Sequence, residues 1–396
     1  MTAPEDSPPR VLVVVGTRPE AIKMAPVVAA LRQTPGLHSR LVLTGQHGDL
    51  VDQILDTLDL HPDYDLGIMQ EGQSLYDVAQ ECLQELGGVV REFKPDLLLA
   101  QGDTASVFFS ALVAFFEKTR VGHVEAGLRS GDKWAPFPEE IFRRLTDVLT
   151  DLYFAPTSAA RDNLLAEGIE PSQVYVTGNT VVDSLMRMAS MEGKVKGGGD
   201  VEAPVLKSIL EEKNSRLVLL TAHRRESFGQ PLRDVFRAVR NLVDEHEDVR
   251  LLYPVHPNPN VVEPAEELLS DHPRIDLVEP LGYRDLVLAL QGAHLILTDS
   301  GGIQEEAPTF GTPVLVLREV TERPEGVEAG VAILVGTDPE KILEEGRRIL
   351  SRGQDGVQPV AVANPYGDGR AGERIADIIS SVLTGESRST VDWDGP

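Results

Sequence analysis

Short apolar segments, each ending in a polar or glycine-containing turn, recur along the whole chain and constrain its fold more than any other feature. Segments of this kind occupy residues 11–15, 40–44, 97–100, 216–220 and 294–297. Continuous aliphatic runs are typical of strands that a parallel sheet buries on both faces, and helical spacing of apolar residues follows most of the turns. Because strands and helices alternate in both halves, the sequence predicts an α/β protein with two Rossmann-like, doubly wound domains.

The predicted division into domains follows from the length and from one glycine-rich segment. A chain of 396 residues exceeds a single ordinary core. Residues 193–200 read GKVKGGGD, a composition typical of a flexible linker. We expect an N-terminal domain at 1–190, a linker region at 191–214, a C-terminal domain at 215–370, a helix at 371–384 that packs back on the first domain, and a disordered tail at 385–396.

Composition excludes several partners and compartments. The formal net charge is −26, so neither nucleic acid nor an anionic membrane surface is expected to bind this chain. No apolar run approaches the roughly 18 residues that a membrane span needs, and the polar N-terminus does not resemble a secretory signal. Cys82 is the single cysteine, which excludes an internal disulfide and fits a reducing compartment. The sequence therefore predicts a cytoplasmic protein.

The turn after residues 294–297 predicts a site for an anionic ligand. Ser300, Gly301 and Gly302 begin a predicted helix, where backbone N–H groups lack helical partners and glycine lets a phosphate approach. Glu306 is a candidate acceptor for sugar hydroxyls, so a nucleotide sugar would satisfy both features. The alternative is a tight strand-to-helix turn in which Glu305 and Glu306 interact favourably with the helix dipole.

A second candidate site follows the first predicted strand. Arg18 and Lys23 come after residues 11–15, near the carboxyl edge at which open α/β sheets bind ligands. They could hold a diphosphate, and the alternative is that both are solvated charges on a helix face. The sequence contains neither the glycine spacing of a dinucleotide fingerprint nor a Walker A motif.

Three carboxylates are predicted at the same edge of the first sheet. Asp103 and Glu125 directly follow predicted strands, and Glu139 follows a long irregular loop, a type of loop that is usually functional. Asp103 could instead be the N-cap of the following helix, whereas glutamate is not a favoured capping residue. In the second half, His223 also follows a strand and is either a ligand contact or a packed polar side chain.

These residues belong to motifs that resemble one known family. The motifs are Gly16-Thr17-Arg18-Pro19-Glu20-Ala21-Ile22-Lys23, Gly102-Asp103-Thr104, His123-Val124-Glu125-Ala126-Gly127-Leu128-Arg129, Pro138-Glu139-Glu140, His223-Arg224-Arg225-Glu226-Ser227-Phe228-Gly229, residues 298–308 and residues 321–324. Together, and in this order, they resemble the non-hydrolysing UDP-N-acetylglucosamine 2-epimerases, from about residue 11 to residue 383.

The resemblance implies a fold, a reaction and partners. It implies the GT-B architecture, in which two Rossmann-like domains face each other across a cleft. The implied reaction interconverts UDP-N-acetylglucosamine and UDP-N-acetylmannosamine, usually to supply surface polysaccharide synthesis. Loss of UDP from C1 makes the hydrogen at C2 removable and leaves a 2-acetamidoglucal, to which UDP adds again after protonation from the opposite face. No cofactor and no metal are expected, and a homodimer is implied.

By the same resemblance, Asp103, Glu125, Glu139 and His223 form the catalytic set. We expect Asp103 to be one base and Glu139 to act as acid or base on the other face, while Glu125 either takes part or orients one of them. His223 would be a positive partner of the departing diphosphate. The substrate-binding positions are Arg18, Lys23, Leu286, Ser300, Gly301, Gly302, Glu306 and Arg323.

The chain departs from the family pattern at two places. Leu286 stands where some members have an aromatic residue beside the uracil, so backbone contacts are expected to recognise the base. Many members are activated by a second UDP-N-acetylglucosamine, and Gln46, Arg224 and His256 match that allosteric site. Gly48 and Gly72, however, stand where arginine is frequent, which predicts weaker or altered activation.

Three other functions compete with epimerisation. A GT-B glycosyltransferase would share the nucleotide site but would need an acceptor site and has little use for three carboxylates. A hydrolysing epimerase would release free N-acetylmannosamine and UDP. A binding-only nucleotide-sugar sensor would tolerate the loss of Asp103 and Glu139.

Overall fold

The structure, a computed structural model, describes residues 8–45, 55, 57–68, 73–134, 136–192, 201–212, 214–351 and 364–395. The chain forms two compact units. The first unit extends to Ser184 and resumes with Tyr366–Gly395, and the second comprises Leu185–Pro365. The chain thus leaves the first unit once and returns to it near its C-terminus.

The first unit contains a seven-stranded parallel sheet. Its strands are β1 Arg10–Val15, β2 His38–Leu43, β3 Tyr64–Asp65, β4 Leu97–Gln101, β5 Arg120–Val124, β6 Leu152–Ala155 and β7 Val174–Val176. The helices that begin in this unit are α1 Arg18–Gln33, α2 Leu75–Glu81, α3 Gly87–Phe93, α4 Ala105–Phe116, α5 Glu139–Leu149, α6 Ser158–Ala166, α7 Thr180–Glu192 and, after the second unit, α15 Ala371–Thr384. A π-helical turn, Cys82–Leu86, joins α2 to α3.

The second unit contains a six-stranded parallel sheet. Its strands are β8 Arg216–Thr221, β9 Val249–Pro254, β10 Ile275–Val278, β11 Ala293–Thr298, β12 Val314–Val316 and β13 Ala332–Leu334. Its helices are α8 Pro204–Glu211, α9 Gln230–Glu245, α10 Pro259–Leu269, α11 Tyr283–Gly292, α12 Gly301–Glu306, α13 Pro324–Glu328 and α14 Pro339–Leu350.

Burial on both faces explains the continuous apolar runs. In β8, Val218 and Leu220 pack in one core cluster with the helix α9, whereas Leu217 and Leu219 pack in another cluster with α8 and α11. Alternate residues of a strand point to opposite faces, so a strand covered on both sides is apolar at every position. The predicted α/β class with two doubly wound domains is therefore confirmed.

Both sheets have the strand order of a Rossmann domain. The orders are β3-β2-β1-β4-β5-β6-β7 and β10-β9-β8-β11-β12-β13. In each sheet the order reverses between the first and fourth strands of that unit, β1 and β4 or β8 and β11. Ligands of open α/β sheets bind beyond the carboxyl ends of the strands at such a switch point. The turns after these four strands are therefore the positions at which to look for a site.

The region predicted as a linker contains regular structure. Residues 204–211 form the helix α8, in which Leu206 and Ile209 are buried against the second unit. The boundary between the units lies at Ser184, within α7, and so precedes the predicted linker. The glycine-rich residues 193–200 lie outside the described part of the chain.

The C-terminal residues differ from the predicted disordered tail. The helix α15 packs on α1, and residues 385–395 continue along the first unit. Trp393 is buried and donates a backbone hydrogen bond to Val176 O at 2.8 Å, while the Asp392 carboxylate accepts from Val176 N at 3.1 Å. The prediction of disorder was wrong, because a polar composition does not reveal hydrogen bonds to a strand distant in sequence.

Within the described ranges, no helix combines the length and the apolarity that crossing a bilayer requires.

Candidate functional site

Asp103 lies beyond β4 at the switch point of the first unit. Gly102 before it has a φ of +89°, and the cap of α4 is Thr104, whose side chain accepts from Val107 N. The alternative prediction of Asp103 as N-cap is therefore wrong. Arg143 of α5 donates to Oδ2 of Asp103 from Nε at 3.1 Å and also from Nη2. The Asp103 side chain remains 27% exposed, so a ligand can reach it.

Glu125 directly follows β5 and has an unusual backbone conformation. Its φ is +67°, in the left-handed region that non-glycine residues seldom adopt. Such a conformation costs about 1–3 kcal/mol and persists where the surroundings impose it. The Glu125 amide donates to Phe154 O at 3.0 Å, and its carboxylate forms an ion pair with Lys23 of α1. Lys23, predicted to hold a diphosphate, is therefore also a direct partner of a predicted catalytic carboxylate.

Glu139 is the first residue of α5 and is half-buried. The next residue, Glu140, is fully buried and accepts from Ser130 N at 3.0 Å and Gly131 N at 3.3 Å. It also accepts from Arg143 at 3.2 Å. Glu140 therefore connects the loop that precedes α5 to the helix by hydrogen bonds, and Arg143 connects the helix to Asp103 in the same way.

Behind these carboxylates lies a buried histidine. His123 of β5 is fully buried, with Nδ1 at 2.7 Å from Asp147 Oδ1 and Nε2 at 2.8 Å from Gly102 O. Asp147 of α5 also accepts from Arg129 at 2.7 Å. Burial disfavours the charged imidazole, but the Asp147 carboxylate outweighs it and raises the pKa of His123. Burial likewise opposes the charged form of Asp147, but His123 and Arg129 lower its pKa.

A second buried carboxylate links the turns after β1 and β4. Glu20 accepts from Gly16 N at 2.6 Å, from the Thr17 hydroxyl at 3.0 Å and from the Thr104 hydroxyl at 2.8 Å. Burial raises the pKa of Glu20 to about 7, although the three hydrogen bonds act in the opposite direction. Arg18 begins α1 in the same turn and is half-buried.

In the second unit, Asp299 organises the turn that carries His223. Its Oδ2 accepts from the backbone N–H groups of His223 at 2.7 Å and Arg224 at 2.8 Å. Its Oδ1 lies 3.4 Å from His223 Nδ1. The rings of His223 and His256 are stacked, with centroids 5.3 Å apart. Two predicted allosteric residues, Arg224 and His256, thus adjoin a predicted catalytic one, whereas Gln46 lies outside the described residues.

The protein surroundings of His223 disfavour the charged form of its imidazole. Burial lowers its pKa, and His256 and Arg224 add to this effect, although Asp299 opposes it. A bound diphosphate would favour the charged form again, because an opposite charge nearby stabilises it. The predicted role of His223 as a positive partner therefore depends on the ligand.

The turn after β11 forms the start of α12. Ser300 is the N-cap, although its side chain accepts no capping hydrogen bond, and Gly301 lies under the Arg323 guanidinium. A Cβ at Gly301 would come within 2.8 Å of Arg323 Cζ, so a side chain here would displace the guanidinium. Arg323 donates to the buried Glu305 at 2.9 Å, and Glu306 is half-buried nearby. The structure therefore brings together Ser300, Gly301, Gly302, Glu306 and Arg323 in one region.

Leu286 also lies in the second unit, against the core cluster that contains Ile303 of α12. It is on α11, half-buried against the core cluster beneath that helix. Glu202 and Ala203 donate backbone hydrogen bonds to Asp285 in the first turn of the same helix, at 3.2 and 2.7 Å.

Several functional candidates escaped the sequence analysis: Glu20, His123, Glu140, Arg143, Asp147 and Asp299. Two signals could have found most of them. His123 lies in the predicted strand that Glu125 follows, and Glu140, Arg143 and Asp147 have the three- and four-residue spacing of one helix face. Ionisable residues in the place of an apolar stripe indicate a buried polar network.

Comparisons with known proteins identify the family of this chain. The family model for UDP-N-acetylglucosamine 2-epimerase matches residues 29–380. The UDP-N-acetylglucosamine 2-epimerase of Bacillus subtilis (strain 168) is 46% identical over 368 residues, which are 93% of this chain and 94% of the relative. The Escherichia coli (strain K12) enzyme of that name is 43% identical over 375 residues, 94% of this chain and 98% of the relative.

A solved structure shows the same similarity in three dimensions. The UDP-GlcNAc 2-epimerase of Neisseria meningitidis, crystallised with UDP-GlcNAc, has a TM-score of 0.84 and 41% identity, covering 95% of this chain and all of that one. Two Rossmann-type units with polar residues at their switch points define an α/β protein of the class that binds nucleotide ligands. Within this class, the chain belongs to the UDP-N-acetylglucosamine 2-epimerase family.

Proposed function

We propose that this chain is an isomerase that interconverts UDP-N-acetylglucosamine and UDP-N-acetylmannosamine without net hydrolysis. Family membership over nearly the whole chain supports the substrate. The observation that carries the reaction type is the set of carboxylates at the carboxyl edge of the first sheet, Asp103, Glu125 and Glu139, of which the first two are joined to a cation. Inversion at C2 needs acid/base groups on two faces of the sugar, and carboxylates suit that task.

The proposed steps balance without an added oxidant or reductant. The C1–O bond breaks, and its electron pair leaves with UDP. A carboxylate takes the proton from C2, and the electrons of that C–H bond form the C1–C2 double bond of a 2-acetamidoglucal. In the return step the double bond accepts a proton at C2 from the opposite face, and UDP adds again to C1. The overall change is inversion at one carbon.

The contacts of the protein support a division of roles. Both Arg143 hydrogen bonds to Asp103 end on Oδ2, which leaves Oδ1 for the proton at C2. Glu139, on the helix that carries Arg143, is proposed to act on the other face of the ring. In the second unit, the turn at Ser300–Gly302 with Arg323 would bind the diphosphate, and His223 would stabilise its charge as UDP departs. Arg18 is proposed as a substrate-binding residue of the first unit. Glu306 would accept hydrogen bonds from sugar hydroxyls.

One experiment tests the function. The purified protein is incubated with UDP-N-acetylglucosamine in deuterium oxide, and the products are followed by NMR. We expect UDP-N-acetylmannosamine with deuterium at C2 and no accumulation of free sugar. Free N-acetylmannosamine with UDP would identify a hydrolysing epimerase, turnover only with an added acceptor would identify a glycosyltransferase, and binding without turnover would identify a sensor.

The substitution Asp103→Asn separates chemistry from binding. Asparagine preserves the shape of the side chain but cannot take a proton, so kcat should fall by about 10³-fold or more while the Kd for UDP stays within about twofold. Asp96→Asn is the matched control, because Asp96 precedes the same strand and accepts from Arg10 N at 2.8 Å. Its kcat should remain near that of the wild type. Loss of UDP binding in Asp103→Asn would contradict the assignment of Asp103 to chemistry.

We further propose that activation by a second UDP-N-acetylglucosamine is weak or altered in this chain. The proposal rests on Gly48 and Gly72, which replace arginines frequent in the family. The rate of the reverse reaction should therefore depend almost hyperbolically on UDP-N-acetylmannosamine. A steep sigmoidal curve that traces of UDP-N-acetylglucosamine abolish would contradict it.

A homodimer and a cytoplasmic location remain proposals. The homodimer rests on the resemblance, and the helices α4 and α5, which pack together, expose large apolar side chains of the kind found at interfaces. These side chains are Phe115, Phe116, Leu145 and Val148. Sedimentation equilibrium would show a monomer if the proposal is wrong.

A further inference from the structure

We propose that His123 is a positioning residue for Asp103 and that it acts as a buried imidazolium. The proposal rests on the proposed function, in which Asp103 removes or returns the proton at C2. His123 lies behind the carboxylates and has no exposed surface, so it cannot itself touch a substrate. Its importance comes from the elements that its two ring nitrogens connect.

The hydrogen-bond partners of His123 determine its charge. Gly102 O is a carbonyl that can only accept, so Nε2 must donate to it across 2.8 Å. Asp147 Oδ1, 2.7 Å from Nδ1, also accepts unless the proton resides on the carboxyl group. The other oxygen of Asp147 already accepts from Arg129 at 2.7 Å, which favours the ionised carboxylate. Both ring nitrogens therefore carry hydrogen, and the imidazole is charged.

The surrounding charges compensate the buried imidazolium. Asp147 lies against it on α5, and Arg129 reaches Asp147 from the loop after β5. Arg129 in turn pairs with Glu167 at 2.8 Å. The four groups alternate in sign and sum to zero, which allows a charged histidine in the protein interior. The Tyr153 hydroxyl donates to the backbone carbonyl of Asp147 at 2.7 Å and not to its carboxylate, so it takes no part in this charge network.

Through this network His123 joins the elements that carry the proposed catalytic carboxylates. It lies in β5, two residues before Glu125, bonds to the carbonyl of the residue before Asp103, and bonds through Asp147 to the helix α5 that begins at Glu139. Gly102 has a positive φ and no Cβ, so its peptide is conformationally permissive and depends on external contacts for its orientation. The His123 to Gly102 bond supplies that contact immediately before Asp103.

Two substitutions at His123 separate the effects of its two hydrogen bonds, to Gly102 and to Asp147. The glutamine amide in His123→Gln can reproduce the donor at Nε2 toward Gly102, whereas the shorter amide in His123→Asn can reproduce only the donor at Nδ1 toward Asp147. Tyr153→Phe is the matched control, since it removes a buried hydrogen bond to Asp147 without touching the imidazole. For each variant, kcat, KM, the Kd for UDP and Tm are measured.

We expect His123→Asn to lower kcat on the order of 100-fold, because a small misplacement of a catalytic group has effects of that size. His123→Gln should recover at least about tenfold of this loss, while KM and the Kd for UDP change by less than about threefold in both variants. Tyr153→Phe should lower Tm and retain kcat. Equal kcat in the glutamine and asparagine variants, or losses of kcat that only follow Tm in all three, would overturn the proposal.

The charge of His123 has a readout that needs no turnover. In protein labelled with ¹⁵N-histidine, the His123 signals are assigned by their absence from the spectrum of His123→Gln. Both ring nitrogens should have the shifts of protonated nitrogen at pH 7, at which an ordinary histidine with pKa near 6.5 is mostly neutral. A neutral tautomer would overturn the buried imidazolium. If the wild type instead shows the imidazolium but fails to epimerise, the proposed function fails and the network stands.

Discussion

At the scale of single residues, different causes explain why glycine stands at each of the first two positions of α12. A Cβ at Gly301 would clash with the Arg323 guanidinium, which Glu305 holds in place at 2.9 Å. A Cβ at Gly302 would meet only Glu306 Oε1 at 3.6 Å and Ser300 Oγ at 3.9 Å, both ordinary contacts. Packing therefore accounts for Gly301 but not for Gly302. The room beside Gly302 is consistent with the close approach of a phosphate to the backbone.

The substitution Gly302→Ala should consequently preserve the fold and lower the affinity for UDP. Alanine favours a helix by up to about 1 kcal/mol over glycine, so Tm should stay equal or rise. The added methyl group should raise the Kd for UDP at least about tenfold, as calorimetry would show. Gly88→Ala on α3 is the control, because its Cβ would meet nothing within 4 Å. If Gly302→Ala binds UDP as tightly as the wild type does, the phosphate does not approach the backbone at Gly302.

At the scale of elements, α5 shows how far sequence patterns reach. The sequence predicts a long irregular loop that ends before Glu139, and in the structure α5, Glu139–Leu149, begins at that residue. It does not predict that Glu140, Arg143 and Asp147 are the buried stripe of that helix. Patterns of apolar residues locate a buried face, but a buried face made of ion pairs depends on partners elsewhere in the chain. Here those partners are the Asp103 turn and His123.

The turns after β1 and β4 are joined by a buried acid whose titration should be measurable. The pKa of Glu20 is raised from 4.5 in the unfolded chain to about 7 in the fold, chiefly by burial. A raised pKa means that the folded state binds the proton more tightly, so this contribution to stability is complete below pH 4.5 and is lost as the pH rises through about 7. Between pH 5.5 and 7 the loss should be on the order of 2 kcal/mol.

The comparison of the wild type with Glu20→Gln isolates this effect. Glutamine cannot titrate, so the difference in free energy of unfolding between the two proteins, measured by urea denaturation from pH 5.5 to 8, should fall as the pH rises and level off above about pH 8. Other groups titrate equally in both proteins and cancel. Parallel pH profiles would show that Glu20 keeps an ordinary pKa in the fold.

At the scale of the whole molecule, the sequence predicts the architecture well and the end of the chain poorly. The alternation of strands and helices predicts both sheets, because each apolar run is a local signal with a local cause. The extended segment that follows Thr384 has no such signal. Asp377 on α15, 12 residues before Ser389, accepts from Ser389 N at 2.9 Å. The other partner lies far away in sequence, because Val176 of β7, 216 residues before Asp392, bonds to Asp392 and Trp393. Contacts of this range are invisible to periodicity.

The C-terminal segment covers the end strand of the first sheet. The strand β7 has a neighbour in the sheet on one side only, and exposed strand edges promote aggregation. Val176 of β7 instead exchanges hydrogen bonds with Asp392 and Trp393, and the Trp393 ring is buried. The segment therefore covers the β7 edge of the sheet whose strands precede Asp103 and Glu125.

Trp393→Ala should lower the free energy of unfolding of the first unit by about 3 kcal/mol, as for other large aromatic side chains removed from a packed site. Val391→Ala is the matched control two residues away, because Val391 is 78% exposed and should change the stability by less than about 0.5 kcal/mol. Denaturation curves, together with light scattering on warming, would test both. Because β6 separates β7 from β5, and the backbone hydrogen bond of Trp393 goes to β7, kcat at low temperature should be unchanged in both variants. Equal stability of the two variants would show that the segment does not stabilise the edge of the sheet in solution.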